Sequence, residues 1–286
     1  MTRLEPFRDG VWLKREDEHE LGAFKWRGAV AVLEARRPDV VVTASTGNHG
    51  AATAWAARRA GVRCVVFVPQ RASAAKIALI EAQGAELRHV GVDVDEAKEA
   101  ARAFAEERDA FFFEDGAEPA QFEGYETIGH ELLDAIPGPP GAVVVPVGNG
   151  ALAIGIFRAV AERAPGALRV AVAAAEAPAM YESWRAGGPA DSERCATFAD
   201  GLAVRVAIPL AVAELNSLVQ RFEVVSEAEL AAAVREYAAA GVRVEGAAAA
   251  ALAVETREAL PRPAVLIVTG RNIDDPLYER ILTDGP

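Results

Sequence analysis

The chain has 286 residues, 51% of them hydrophobic, and a formal net charge of −12, enough length for one large or two medium domains with a sizeable core. So acidic a chain, without clustered Lys and Arg, is not expected to hold nucleic acid, and neither a basic amphipathic stretch nor an apolar run of membrane-spanning length points to a bilayer. Two cysteines, Cys64 and Cys195, make no disulfide framework, no Cys/His cluster offers a zinc site, and the first residues lack the apolar core of a signal peptide, so a cytoplasmic protein is expected.

Near the N-terminus, Leu21-Gly22-Ala23-Phe24-Lys25-Trp26-Arg27-Gly28-Ala29 sets a lysine between two aromatic residues. A lysine in apolar surroundings can condense, as its neutral amine, with a carbonyl group. The same residues also suit a helix start with Lys25 at the edge of the core. Downstream, short apolar bursts alternate with alanine-rich segments. Strands are predicted at 40–43, 62–68, 86–90, 110–113, 142–147, 169–175, 223–226 and 264–269. Helices are predicted at 51–60, 74–83, 95–108, 122–136, 151–163, 227–239 and 247–260. The polar stretch 180–207 is expected to form loops with one short helix. Continuously apolar strands alternating with helices imply an α/β protein with parallel sheets covered on both faces. Ligands of such sheets bind beyond the carboxyl ends of strands, so the turns after strands are the places to look.

The first such turn is Ala44-Ser45-Thr46-Gly47-Asn48-His49-Gly50. Its hydroxyls, amide and helix N–H groups compose an anion site; alternatively Ser45 or Thr46 caps the helix. The second, Gly148-Asn149-Gly150-Ala151-Leu152, opens a helix with small residues that admit a phosphate. Its spacing departs from the GxGxxG of a dinucleotide turn, and no acid ends the next strand, which weighs against a nicotinamide cofactor. The third, Val244-Glu245-Gly246-Ala247, places a carboxylate at a helix N-terminus, where the helix dipole alone accounts for it. The fourth, Val268-Thr269-Gly270-Arg271-Asn272, offers a strand-end hydroxyl that suits the edge of a heterocycle or an ordinary turn.

Taken in order, these segments resemble the fold-type II pyridoxal phosphate enzymes of the threonine dehydratase and serine racemase group, over nearly the whole chain. Lys14-Arg15-Glu16-Asp17 with Phe24-Lys25-Trp26-Arg27-Gly28-Ala29 is similar to that family's K-x-E-x and S-F-K-x-R-G-A, and Ser45-Thr46-Gly47-Asn48-His49 to its S-x-G-N-H loop. Gly124-Tyr125-Glu126-Thr127 resembles its G-Q-G-T or G-Y-x-T helix. Gly148 to Leu152 stands where a tetraglycine belongs, and Thr269-Gly270-Arg271-Asn272 where S-G-G-N or T-G-x-G belongs.

The resemblance implies a two-domain, tryptophan synthase β-like fold with the cofactor in the interdomain cleft. Residues 1–38 and 117–286 would form a large cofactor-binding domain, and 39–116 a small mobile substrate domain. It implies that Lys25 holds pyridoxal 5'-phosphate as a Schiff base and, once released, takes the substrate's α-proton. The backbone amides of Gly148, Asn149, Gly150, Ala151 and Leu152 would cradle the phosphate, Asn48 would bond the ring 3-oxygen, and Thr269 the pyridine nitrogen. Ser45, Thr46, Gly47, Asn48 and His49 would clamp the carboxylate of a small amino-acid substrate. A hydroxyl opposite the pyridine nitrogen makes a weaker electron sink than a carboxylate would, which favours prompt β-elimination. The expected activity is therefore a threonine or serine dehydratase that releases a 2-oxo acid and ammonia.

Departures from the pattern keep other activities open. Thr46 offers a hydroxyl where racemases use one as the second-face acid, making it a second candidate catalytic residue. Thr46, Gly148-Asn149 and Thr269-Gly270 also lean toward threonine synthase. Ala23 in place of Ser, with a tetraglycine broken by Asn149 and Ala151, suits a catalytically silent, cofactor-binding sensor. Glu176 and Glu182 have the six-residue spacing of a divalent-cation site found in some relatives. Two carboxylates so placed are usually a solvated face, and no metal is expected. The apolar composition leads us to expect a homodimer.

Overall fold

The structure, a computed structural model, describes residues 1–72 and 74–283. The chain divides into two compact units, Met1–Phe24 with Tyr125–Pro286, and Lys25–Gly124. It opens with β1 (Leu4–Arg8), β2 (Val11–Arg15) and α1 (Trp26–Arg36), followed by β3 (Val40–Ala44), α2 (Asn48–Ala60) and β4 (Arg63–Val68). Next come α3 (Ala74–Glu81), β5 (Glu86–His89), α4 (Val94–Glu107), β6 (Phe111–Phe112) and α5 (Pro119–Ala135). Then follow β7 (Ala142–Pro146), α6 (Ala151–Arg163), β8 (Leu168–Ala174), α7 (Ala179–Ala186) and α8 (Pro209–Leu218). The chain closes with β9 (Arg221–Val225), α9 (Glu227–Ala239), α10 (Gly246–Arg257), β10 (Ala264–Val268) and α11 (Asp275–Thr283).

The first unit carries a six-stranded sheet in the order β1-β2-β10-β7-β8-β9. Every neighbouring pair is parallel except β1 with β2. The sequences Ala-Val-Val-Val-Pro of β7 and Ala-Val-Leu-Ile-Val of β10 are buried at every position, as strands covered on both faces must be. Val144, Val172 and Leu266 share one core with Leu230 and Val234 of α9 and Leu252 of α10. Nearly all of α10 is buried, from Gly246 through Glu255. Its alanines keep the helix thin enough to lie between α9 and the sheet, and supply high helix propensity.

The second unit carries a four-stranded, wholly parallel sheet in the order β5-β4-β3-β6. Val42, Val65 and Phe67 pack against Ala97, Ala101, Phe104 and Ala105 of α4. That helix starts at Asp93, whose side chain accepts from Glu96 N at 3.0 Å. In both sheets the chain winds to one side and then returns to the other, at β3 in one and at β7 in the other. Those reversals are where open parallel sheets leave a crevice for ligands. The turns that follow β3 and β7 are the first two singled out above.

Several elements differ from expectation. The six-stranded sheet is not wholly parallel, and β1 and β2, its antiparallel pair, lie where no strand was predicted. Charged residues break their apolar pattern, yet tertiary partners absorb the charge: Lys14 is buried with Nζ donating to Thr2 O at 2.8 Å and to Glu131 Oε2 at 2.5 Å. The predicted short helix within 180–207 is α7, but α8 and α11 were also unpredicted, although Pro209 at the first helical position is a recognisable start. The unit boundaries fall at 24/25 and 124/125, against the expected 38/39 and 116/117. Helix α1 belongs with α2, where the rings of Trp26 and Trp55 meet edge-on at 6.0 Å. A Cβ at Gly124 would lie 2.5 Å from the Arg27 carbonyl oxygen, so the first turns of α5 follow α1.

Candidate active site

In the Lys25–Gly124 unit, Lys25 immediately precedes α1, the helix start that one reading foresaw. Its Nζ donates to Asp115 Oδ2 at 2.6 Å, and its side chain is 16% exposed. Asp115 lies just beyond β6, and its other oxygen accepts from Gln121 Nε2 at 2.7 Å. Gln121 is fixed in turn, because its Oε1 accepts from Gly116 N at 2.7 Å. Burial works to raise the Asp115 carboxyl, but the Lys25 charge, the neighbouring His49 and the hydrogen bonds from Lys25 and Gln121 outweigh it. The carboxyl is thereby held well below the usual carboxylate range. Sequence reasoning missed Asp115, which is 90 residues from Lys25 and belongs to none of the motifs. The available signal was an acid-acid-glycine turn, Glu114-Asp115-Gly116, after a predicted strand.

The turn after β3 is held by backbone and buried side chains. Gly47, not Ser45 or Thr46, is the cap position of α2, and no side chain caps the helix. Ser45 Oγ instead accepts from Gly47 N at 3.2 Å. The helix-cap alternative for Ser45 and Thr46 is thus corrected. Ser45, Thr46, Gly47 and Asn48 are half-buried. A Cβ at Gly50 would sit 2.8 Å from Ser45 O, which makes glycine a requirement of this fold-back.

The His49 side chain turns inward. Its ring is buried, edge-on to Phe113 at 4.6 Å, with Nε2 3.0 Å from Thr43 Oγ1. Thr43 donates to Phe113 O at 2.8 Å, so the network assigns the hydrogen to Nε2 and leaves Nδ1 facing Asp115 at 3.5 Å. Burial pulls the imidazole below its ordinary value, against the opposing influence of Asp115. The folded chain therefore binds a proton at His49 less readily than the unfolded chain, and stability falls as pH drops below the ordinary value of 6.5. The expected slope is up to about 1.4 kcal/mol per pH unit. Urea unfolding at about pH 7.5 and about pH 5.5 checks this: an acid-side loss no smaller in His49→Asn than in wild type would refute it.

In the other unit, the turn after β7 leads into α6 through Gly150, whose φ of +97° favours glycine. A Cβ at Gly148 would lie 2.4 Å from the carbonyl oxygen of Gly201. Asn149, a departure from the tetraglycine pattern, turns its Oδ1 onto Ala151 N at 3.1 Å and so occupies one of the amides assigned to a phosphate. Ala151 and Leu152 are buried in the first turn of α6.

Thr269 ends β10. It is buried, and its Oγ1 has no hydrogen-bond partner. The turn it begins is stitched to the segment before Lys25. Phe24 N donates to Thr269 O at 3.1 Å, Arg271 N to Gly22 O at 2.9 Å, and Asn272 Nδ2 to Leu21 O at 2.7 Å. Lys25 is covalently the next residue after Phe24. Glu245 is buried, donates its N–H to Gly270 O at 3.0 Å, and lays its carboxyl where a Cβ of residue 270 would be 2.7 Å away. The helix dipole alone does not account for it: Glu245 packs on the turn that carries Thr269, and a side chain at position 270 would have to displace its carboxyl.

Glu182 pairs with Arg194 at 3.3 Å, and Glu176 lies in the turn after β8. Neither joins a cluster of potential metal ligands. Among the described residues the one such cluster is Glu126, His130 and Glu162, on the half-buried to exposed flanks of α5 and α6.

These features fit pyridoxal phosphate. A buried hydroxyl without a partner suits a ring acceptor, a glycine turn at a helix N-terminus suits a phosphate, and a lysine amine suits an aldehyde. Thr269→Val tests the first. Because the hydroxyl satisfies no protein group, the cofactor-free variant should match wild type in stability within about 1 kcal/mol, while cofactor affinity falls. A large loss of thermal stability without cofactor would contradict it.

The comparisons with known proteins agree. The family model for pyridoxal-phosphate dependent enzymes matches residues 2–270. An L-threonine ammonia-lyase of Thermotoga maritima is 32% identical over 282 residues, 96% of this chain and 70% of that protein. A biosynthetic L-threonine dehydratase of Pasteurella multocida is 33% identical over 199 residues, 68% of this chain but only 39% of that longer protein. Processed threonine deaminase isoform 2 of Solanum lycopersicum superposes with a TM-score of 0.92 at 26% identity, covering 99% of this chain and 88% of that one. With the fold, the donor set and a match spanning nearly all of its length in accord, this chain belongs to the pyridoxal-phosphate dependent enzymes.

Proposed function

We propose that this chain is a threonine or serine ammonia-lyase, converting a β-hydroxy amino acid to a 2-oxo acid and ammonia. The observation that carries the reading is the buried, unpartnered hydroxyl of Thr269. A hydroxyl there, rather than a carboxylate, is the ring partner that favours elimination. The similarity to threonine ammonia-lyases supports the same conclusion.

In this reading Lys25 would carry the cofactor, Thr269 would serve its ring nitrogen and Asn48 its ring 3-oxygen. The turn from Gly148 to Leu152 would hold the phosphate, which requires the Ala151 amide to exchange its bond to Asn149 for the phosphate. When bound, the cofactor supplies the sink that makes the substrate's Cα–H acidic. The N–H groups at the start of α2, with Ser45 and Thr46, orient the substrate carboxylate. Lys25 Nζ takes the proton from Cα, the Cβ–O bond breaks, and the hydroxyl leaves as water after gaining a proton. The released enamine hydrolyses to the oxo acid and ammonia.

The test is an absorbance scan of the purified protein with added pyridoxal phosphate, repeated after L-threonine and after L-serine. A visible band that shifts, with oxo acid accumulating, is the expected result. A shift without oxo acid would replace the lyase with a synthase or a sensor, and D-enantiomer in the recovered substrate would replace it with a racemase acting through Thr46. We infer a cytoplasmic homodimer as well. Among the described residues no helix is long and apolar enough to cross a membrane. Light scattering should report about twice the chain mass of 30.2 kDa; a mass near that of one chain would refute the dimer, and recovery in a membrane or secreted fraction would refute the location.

A further inference from the structure

The Lys25–Asp115 pair has no counterpart in the motifs by which the chain was assigned. Glu114 and Asp115 are adjacent acids with separate partners. Glu114 turns to Lys98 and to Arg102, the latter at 3.1 Å, while Asp115 turns to Lys25. Asp115 is braced by Gln121, itself fixed on Gly116 N. Its remaining neighbour, His49, faces it with Nδ1 at 3.5 Å, and burial pulls that imidazole below its ordinary value. The nearest cation to the carboxylate, at 2.6 Å, is therefore the amine on which the proposed chemistry depends.

We propose that Asp115 is the positioning residue of Lys25, holding its amino group in an ion pair in the cofactor-free chain and stabilising the ammonium that forms when the released lysine takes the substrate's proton. This rests on the reading of Lys25 given above. During turnover the substrate's Cα–H bond breaks, its electron pair stays with the substrate, and the proton passes to Lys25 Nζ. The nitrogen then carries a full positive charge, which Asp115 Oδ2, 2.6 Å from Nζ in the structure, is placed to meet. The carboxylate lowers the energy of that protonated lysine, and so assists proton removal. It opposes cofactor loading for the same reason, because condensation with an aldehyde needs the neutral amine.

Asp115→Asn should therefore act in opposite directions in two measurements. Hydrogen bonds between charged groups are strong enough that about a tenfold change is expected in each. The full chain, stripped of cofactor and given pyridoxal phosphate, should develop its visible band about tenfold faster than wild type. The loaded variant should show kcat lowered about tenfold with KM nearly unchanged. A merely structural defect would slow both, and Asp115→Glu, which keeps the charge, should restore much of the wild-type behaviour in both. Labelling of Lys25 by an amine-directed acylating reagent, read by peptide mass spectrometry, tests the pair without cofactor and should also be faster in Asp115→Asn. Gln121→Met keeps the carboxylate but removes its brace, and should move all three readouts the same way by less, so the test survives if Asp115→Asn does not fold. Unchanged or slower labelling and loading in these variants, or an unchanged kcat, overturns the proposal. A wild type that takes up no pyridoxal phosphate overturns the lyase reading beneath it, whatever the labelling shows.

Discussion

Lys25→Ala is expected to form no visible band with pyridoxal phosphate and to lose turnover by a factor of roughly a thousand or more, the scale of losing a positioned base. Stability should also fall. The substitution leaves Asp115, a quarter of whose side chain reaches solvent, without its cation. Removing one partner of a buried pair costs about 3–5 kcal/mol, and partial exposure brings the expectation here below that range. Because that loss comes from an orphaned charge, Lys25→Ala combined with Asp115→Asn should regain much of the stability and none of the activity. Unfolding midpoints and oxo-acid release from the same preparations separate the two effects. More than about a hundredth of wild-type turnover in Lys25→Ala would remove Lys25 from the mechanism.

The second large effect is expected at Gly148. A methyl group there meets the Gly201 carbonyl oxygen at 2.4 Å, and that backbone cannot withdraw freely. Gly201 sits in a short helical turn, Asp200–Leu202, with Leu202 buried, and its own Cβ position is 2.9 Å from the Ala247 methyl on α10. The turn after β7 must therefore move. Gly148→Ala should cost about 1–3 kcal/mol of stability and weaken pyridoxal phosphate binding about tenfold or more, since the turn's amides lose their aim. Gly166→Ala is the control. Nothing lies within 4 Å of its added methyl, and it should stay within about 0.5 kcal/mol of wild type. A cofactor titration showing wild-type affinity in Gly148→Ala would mean that the phosphate lies elsewhere.

Much of this was legible locally. The apolar runs at 142–147 and 264–269 marked the strands that became β7 and β10, because a strand buried on both faces needs no alternation. The turns from Ser45 to His49 and from Gly148 to Leu152 followed predicted strands and Thr269 closed one, and in the structure each of these turns lies just beyond a strand, as does Thr269. The first strand pair was not legible, since Lys14 and Arg15 disguise β2 and Lys14 finds its neutralising partner, Glu131, 117 residues away. Asp115 was invisible for a related reason. Its importance lies in an ion pair closed across 90 residues, which no local window of propensity or spacing can register. The same holds for Glu245, whose buried place against Gly270 depends on α10 and β10 being brought side by side.

The sequence by itself determined the alternation of strand and helix, the small-residue turns, and the lysine set between aromatics, because periodicity, glycine and apolar runs act over a few residues. Tertiary structure alone decided the order in which the strands pair, and so which turns fall at the two reversals. It also decided that Thr269 is left with an unused hydroxyl and that Lys25 has a braced carboxylate as its partner. Pairing, burial and the strength of a charge depend on what the rest of the chain packs around a residue, and that is set only when distant segments meet.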